Sequence, residues 1–276
     1  MSTSAPSKAV EVVAASPERG VGFRLIDHPA VIRLLSVGLM LGVWEWYGRK
    51  VDPIFLSYPW AIVLAVPAML RSGELQNALV VSLQGLAVGF GLAVIFGTAL
   101  GMITGRYRMI DYLLDVQITA LYSTPNVAYL PLLILWFGLG LKSKVVLIFL
   151  AAFFPLVVNT HGGVRNVSRA LVEIAQAEGA RESQIFTKII VPASLPFIMT
   201  GIRLAVGRAV VGMVVAEMFT AITGLGGRIV YYGNSFATSK LFVVIIVLAL
   251  VGVGLTESAK VLERRMAPWK ETERAH

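Results

Sequence analysis

The sequence contains no cysteine. Disulfides, thiolate metal sites and cysteine nucleophiles are therefore excluded. Charge is scarce as well: only 14% of the 276 residues are Asp, Glu, Lys or Arg, against about 25% in soluble domains. The three histidines, His28, His161 and His276, lie far apart and read as solvated or internally satisfied residues. No paired carboxylates, His cluster or Ser–His constellation suggests catalysis, so no catalytic residue and no metal site is assigned. A Gly-x-x-x-x-Gly-Lys-Ser/Thr phosphate loop is also missing. The superficially similar run at 138–143 (GLGLKS) lacks the adjacent Gly-Lys.

What is present is apolar. The hydrophobic fraction is 57% and the mean hydropathy +0.77. That is more apolar surface than one soluble core hides, and a bilayer is the natural solvent for the excess. A spanning helix needs about 20 mainly apolar residues. Six stretches qualify, near 31–47, 79–103, 113–139, 145–161, 197–222 and 241–262. The third is interrupted near Pro125 and Pro131, and the fourth contains Pro155. The stretch 59–70 is too short to span and is expected to lie at the membrane surface as an amphipathic helix.

The net charge of +8 is explained by topology. With the N-terminus inside, fifteen of the 24 Lys and Arg fall in inner segments and seven, Lys142 and Lys144 among them, in outer ones. This bias favours cytoplasmic termini at both ends and an even number of spans. No basic cluster is interleaved with exposed aromatics, so nucleic acid is not expected as a partner. Residues 1–28 lack the uninterrupted apolar run of a cleavable signal and are expected to form a cytoplasmic tail. Residues 29–265 form the expected membrane domain, and 266–276 a second cytoplasmic tail. Gly85 and Gly89, then Gly97, Gly101 and Gly105, repeat at intervals of four, a spacing that lets helix backbones approach closely.

The inner loop at about 162–196 is too polar to span, yet its composition is not that of a disordered segment. It parses as two short helices. Ser168 is placed to cap the first, Gly179 to make the turn, and Pro192 to stop the second, with Pro196 opening the fifth span. Helices this short need a surface to pack on. Within the spans, Arg208 and Glu217 lie about 13 Å apart along one helix and cannot pair. Each needs a partner from another span, a second subunit or water. They and Asn126, in the polar break at 123–126, are candidates for a translocation path, with interhelical pinning the competing reading for the two charges. Arg203 is read as structural, and Glu45, between Trp44 and Trp46, as interfacial.

The order Glu173-Ile174-Ala175, three residues, Gly179, nine residues, Ile189-Ile190-Val191-Pro192 resembles the EAA loop of bacterial ABC-importer permeases. That pattern reads Glu-Ala-Ala, three residues, Gly, nine residues, Ile-x-Leu-Pro. Ile174 and Val191 depart from it, apolar for apolar. The segments 130–140 (LPLLILWFGLG), 153–164 (FFPLVVNTHGGV) and 200–217 (TGIRLAVGRAVVGMVVAE) are similar to the sulfonate/taurine/nitrate branch. The resemblance implies an all-α membrane protein with the six-helix type I importer permease fold and cytoplasmic coupling helices. It implies that Glu173, Ile174, Ala175, Ala177, Gly179, Ile189, Val191 and Pro192 seat the loop in a cleft of an ATPase partner. It further implies two ATPase copies, a periplasmic or lipid-anchored solute-binding protein, a second copy of this chain, and a bacterial inner-membrane location. No cofactor is then bound here, because ATP and Mg sit on the partner. The expected cargo is a small organic anion such as an alkanesulfonate or taurine. An ion-coupled secondary transporter is the alternative.

Overall fold

A computed structural model describes residues 29–221 and 223–266. The expected tails at 1–28 and 266–276 lie outside the described residues, apart from Met266, as does Ile222 at the expected end of the fifth span. Among the described residues eleven α-helices follow in order: α1 Pro29–Gly48, α2 Pro59–Arg71, α3 Glu74–Arg106, α4 Arg108–Ser123, α5 Leu130–Phe137, α6 Leu141–Arg165, α7 Arg169–Ala177, α8 Glu182–Ile185, α9 Val191–Ala216, α10 Gly224–Asn234 and α11 Thr238–Met266. Among the described residues five helices are long and apolar enough to cross a membrane. A sixth crossing is counted only if the broken pair Arg108–Ser123 and Asn126–Phe137, bent by 95°, is one span. The span expected at 113–139, interrupted near Pro125 and Pro131, breaks at Pro125, while Pro131 lies in the first turn of α5. Pro125 cannot continue the helix, and a 3-10 turn, Asn126–Tyr129, follows it.

The bundle is organised around α6. A Cβ added at Gly89, Gly97, Gly101 or Gly105 of α3 would stand 2.6–2.9 Å from the Cβ of Ile148, Leu156, Thr160 or Val164. The offset between each pair is constant at 59 residues. The two helices therefore run parallel in a single register, stepping one turn at a time. The intervening chain must return across the bundle once, and α4 with α5 makes that return. On the other side of α6, Gly163 meets Phe197, Gly201 meets Asn159, and Gly212 meets Ala151. These pairs descend on one helix as they rise on the other, so α9 is antiparallel to α6. Ala93, Ala152, Leu156, Ala205, Ala209 and Met213 are buried between the three. Without an apolar-versus-water difference inside lipid, this close approach and its dispersion contacts hold the helices together.

Pro192 does not stop the second loop helix. From Glu182 to Thr220 the chain is one helix of 39 residues. A π turn, Phe186–Ile190, precedes the proline, and the Val191 N–H donates to the Phe186 carbonyl. The widened turn accommodates the ring that would otherwise clash with the carbonyl four residues back. The expected loop at 162–196 is shorter as a result. Its first residues belong to α6 and everything from Glu182 belongs to this long rod. Helix α2 runs one residue past the expected 59–70, and it packs Ile62 and Met69 against α3, α10 and α11. Helix α10 was not expected. It lies between the fifth and sixth expected spans, and its opening, Gly224-Leu225-Gly226-Gly227, is buried at all four residues.

Candidate functional site

Two sites lie at opposite ends of the long helix. At the first, α7 crosses the foot of the bundle. Val172 and Ala175 pack with Met102, Val164, Ile185 and Ile190. The other apolar residues of the short helix face away: Leu171 is 52% and Ile174 61% exposed. Glu173, Ala177 and Glu178 are exposed too. Ser168 occupies the N-cap position but makes no side-chain cap. Gly179 has φ +78°, a left-handed conformation that a side chain resists, and the Ala180 N–H donates to the Ala175 carbonyl across the turn. Ile189 is half-buried, Val191 partly buried and Pro192 exposed, all on the rod. Arg106 donates to Glu182 and Arg165 to Asp111 at this end, which ties α3, α4, α6 and the rod together. His161 completes that cluster at 3.3 Å from Asp111 Oδ1 and 3.3 Å from Thr104 Oγ1.

At the far end of the rod, a second π turn begins at Glu217. The Glu217 carboxylate is fully buried. Lys144 Nζ donates to its Oε1 at 2.6 Å, while Ser82 Oγ and the Gly226 N–H donate to Oε2, each at 2.9 Å. Lys144 also donates to the Val81 carbonyl at 2.8 Å, and Ser82 Oγ accepts from the Leu225 N–H. Helices α3, α6, α10 and the rod thus converge on one ion pair. Lys144, counted among the outer loop charges, is instead a buried side chain of α6. The sequence signal was indirect: Gly138 and Gly140, with φ of +74° and +121°, end the preceding element early enough for α6 to begin at Leu141. Gly224 and Gly226 must be glycine here, because a Cβ at either would collide with the Glu217 side chain. Nearby, Tyr232 on α10 donates to Glu74 at 2.5 Å. Burial and then the Glu74 carboxylate push its phenol up to about 12.

Of the three candidates for a path, the structure brings only Glu217 into a network. Arg208 is exposed on α9, and among the described residues it has no ion-pair or hydrogen-bond partner. Asn126 sits half-buried in the break between α4 and α5. Arg203 pairs with Glu263 of α11 at 3.3 Å, and Glu45 accepts from Arg49 and the Trp60 N–H. Arg208→Gln is expected to leave stability within about 0.5 kcal/mol of the parent, read by denaturant unfolding in mixed micelles.

Among known proteins, the family described as binding-protein-dependent transport system inner membrane component matches residues 93–268. The chain belongs to that family. The permease is 36% identical over 241 residues to the protein of Bacillus subtilis named for aliphatic sulfonates transport, SsuC, covering 87% of each chain. It is 32% identical over 251 residues to the taurine transport system permease protein TauC of Escherichia coli, covering 88% of this chain and 91% of the relative. An inward-facing structure of the MetNI methionine ABC transporter superposes with a TM-score of 0.60 at 16% identity, over 71% of this chain and 97% of that one. An amino acid ABC transporter crystallised with histidines gives 0.60 at 13% identity, over 72% and 97%. The fold is therefore the all-α, multi-pass fold of these transporters. The permease is an ABC transporter subunit that forms a translocation path and carries no ATPase site of its own. This displaces the ion-coupled alternative.

Proposed function

We propose that the permease works in an importer as a homodimer, with two ATPase subunits docked on its α7 ends and a periplasmic or lipid-anchored binding protein at its α10 ends. Both termini are then cytoplasmic, and the broken α4–α5 pair counts as the sixth crossing. The observation that carries the reading is the α7 elbow. A short helix turns one apolar face to its own bundle and presents another, Leu171 and Ile174, to a partner. Small Ala175 and Ala177 permit a close seat, and Glu173 is available to a partner's Arg or Lys. Gly179 then joins α7 to a rod that at about 1.5 Å per residue is about 58 Å long. ATP-driven closure of the two ATPase subunits carries each elbow with it. The rod, with Ile189, Val191 and Pro192 near its start, delivers that displacement to the Glu217 network at the other end.

Glu217 is an interhelical pin in this state, and Arg208 and Asn126 are proposed to face the path, Arg208 as the free cation that meets an anionic cargo. Two relatives are named for sulfonates and taurine, which supports a small organic anion as the class of solute. In a reconstituted complex, loaded binding protein should stimulate ATP hydrolysis. Glu173→Lys and Gly179→Pro should lower uptake per ATP at least about tenfold, because the first opposes a charged contact at an interface and the second cannot adopt a positive φ. Unaltered transport in both variants overturns the coupling assignment. Unaltered anion uptake by Arg208→Gln removes that residue from the path.

A further inference from the structure

We infer that the permease carries a binding site for an anionic phospholipid at the α7 end of the bundle. A cavity of about 270 Å³ opens there, lined by Arg106, Arg108, Arg165 and Arg169 together with Glu173 and Gln176. Two of the four guanidinium groups are already matched, Arg106 by Glu182 and Arg165 by Asp111. Arg108 and Arg169 have no ion-pair or hydrogen-bond partner among the described residues. Set against the Glu173 carboxylate, they leave one positive charge. A phosphodiester, with one negative charge, neutralises it. Guanidinium groups bind phosphate oxygens through paired N–H donors.

The surroundings select a lipid as the source of that phosphate. The cavity lies where α3 and α6 end, at Arg106 and Arg165, so it sits at the level where apolar spans give way to charge. From Arg108, an apolar stripe runs along α4 at helical spacing: Met109, Tyr112, Leu113 and Val116, each at least 66% exposed. A headgroup held by Arg108 and Arg169 places its acyl chains along this stripe. The site joins the start of α4 to the start of α7, so an occupied headgroup would tie the short helix to the spans. Arg108 and Arg169, which would hold the headgroup, are not among the residues proposed to meet the ATPase partner.

The test uses the purified full-length permease and native mass spectrometry. Dioleoyl-phosphatidylglycerol, dioleoyl-phosphatidylcholine and inorganic phosphate are titrated separately. The anionic lipid should bind most tightly, and Arg108→Gln with Arg169→Gln should weaken it about twenty-five-fold, at about a factor of five for each surface arginine. Both residues are exposed and unpaired, so the fold should persist in the double variant. Independently of that variant, a photoactivatable phosphatidylglycerol should cross-link the parent protein at α4. Equal binding of the two lipids, unchanged affinity in the double variant, cross-links confined to other helices, or competition by millimolar inorganic phosphate would each overturn the assignment.

Discussion

Lys144→Met is expected to destabilise the permease by about 3–5 kcal/mol. The substitution removes the cation that compensates Glu217 but leaves the carboxylate in a site closed to water. Ser82 and the Gly226 N–H still donate to it, yet two neutral donors do not replace an ammonium at 2.6 Å. Adding Glu217→Gln to Lys144→Met should recover about half of the loss. The uncompensated charge is then gone, and the amide keeps an acceptor for one of those donors. A double-mutant cycle by denaturant unfolding in mixed micelles measures this coupling. If the two substitutions add, the pair does not interact as the geometry requires. The loss also has a functional side, because the pair joins the rod to α3, α6 and α10. A permease lacking it should hydrolyse ATP in its complex without delivering solute.

Gly101→Val together with Gly105→Val should be nearly as damaging. A Cβ at Gly101 would stand 2.6 Å from Thr160 Cβ and 2.7 Å from the Val157 carbonyl, and one at Gly105 2.6 Å from Val164 Cβ. Backbone atoms cannot rotate aside, so α3 and α6 must separate. Overpacking of this kind costs about 1–3 kcal/mol per site, and two sites on one seam force the same displacement. The control is Gly91→Val on the same helix, where a Cβ meets nothing within 4 Å. It should be neutral or slightly stabilising, since glycine is a poor helix former. Equal effects at the seam and at Gly91 would mean that the helices do not meet through these residues.

Much of this was legible in the residues because it depends on local chemistry. Apolar runs long enough to span, the four-residue glycine spacing and the elbow at Gly179 all follow from side chains and their immediate neighbours. The failures share a different cause. Pro192 read as a helix stop because a proline disrupts a regular α-helix; a π turn upstream removes the clash, and nothing local announces such a turn. Lys144 read as a loop charge because its compensation comes from Glu217, 73 residues away. The glycine-rich start of α10 received no assignment from sequence, because its value lies in letting the backbone approach Glu217, and that requires both partners to be in place.

Composition and pattern alone therefore determined the solvent, where the apolar runs lie and the polar elbow, since these are properties of a chain in a bilayer before it packs. Tertiary structure decided which charges are buried together, that α3 and α6 run parallel at one register, and that one continuous helix connects the elbow to the Glu217 end of the bundle. The physical reason is range. A buried charge is tolerable only beside its counter-charge, and two helices approach closely only where small residues on one meet the ridge of the other; both conditions join residues that the chain itself keeps far apart.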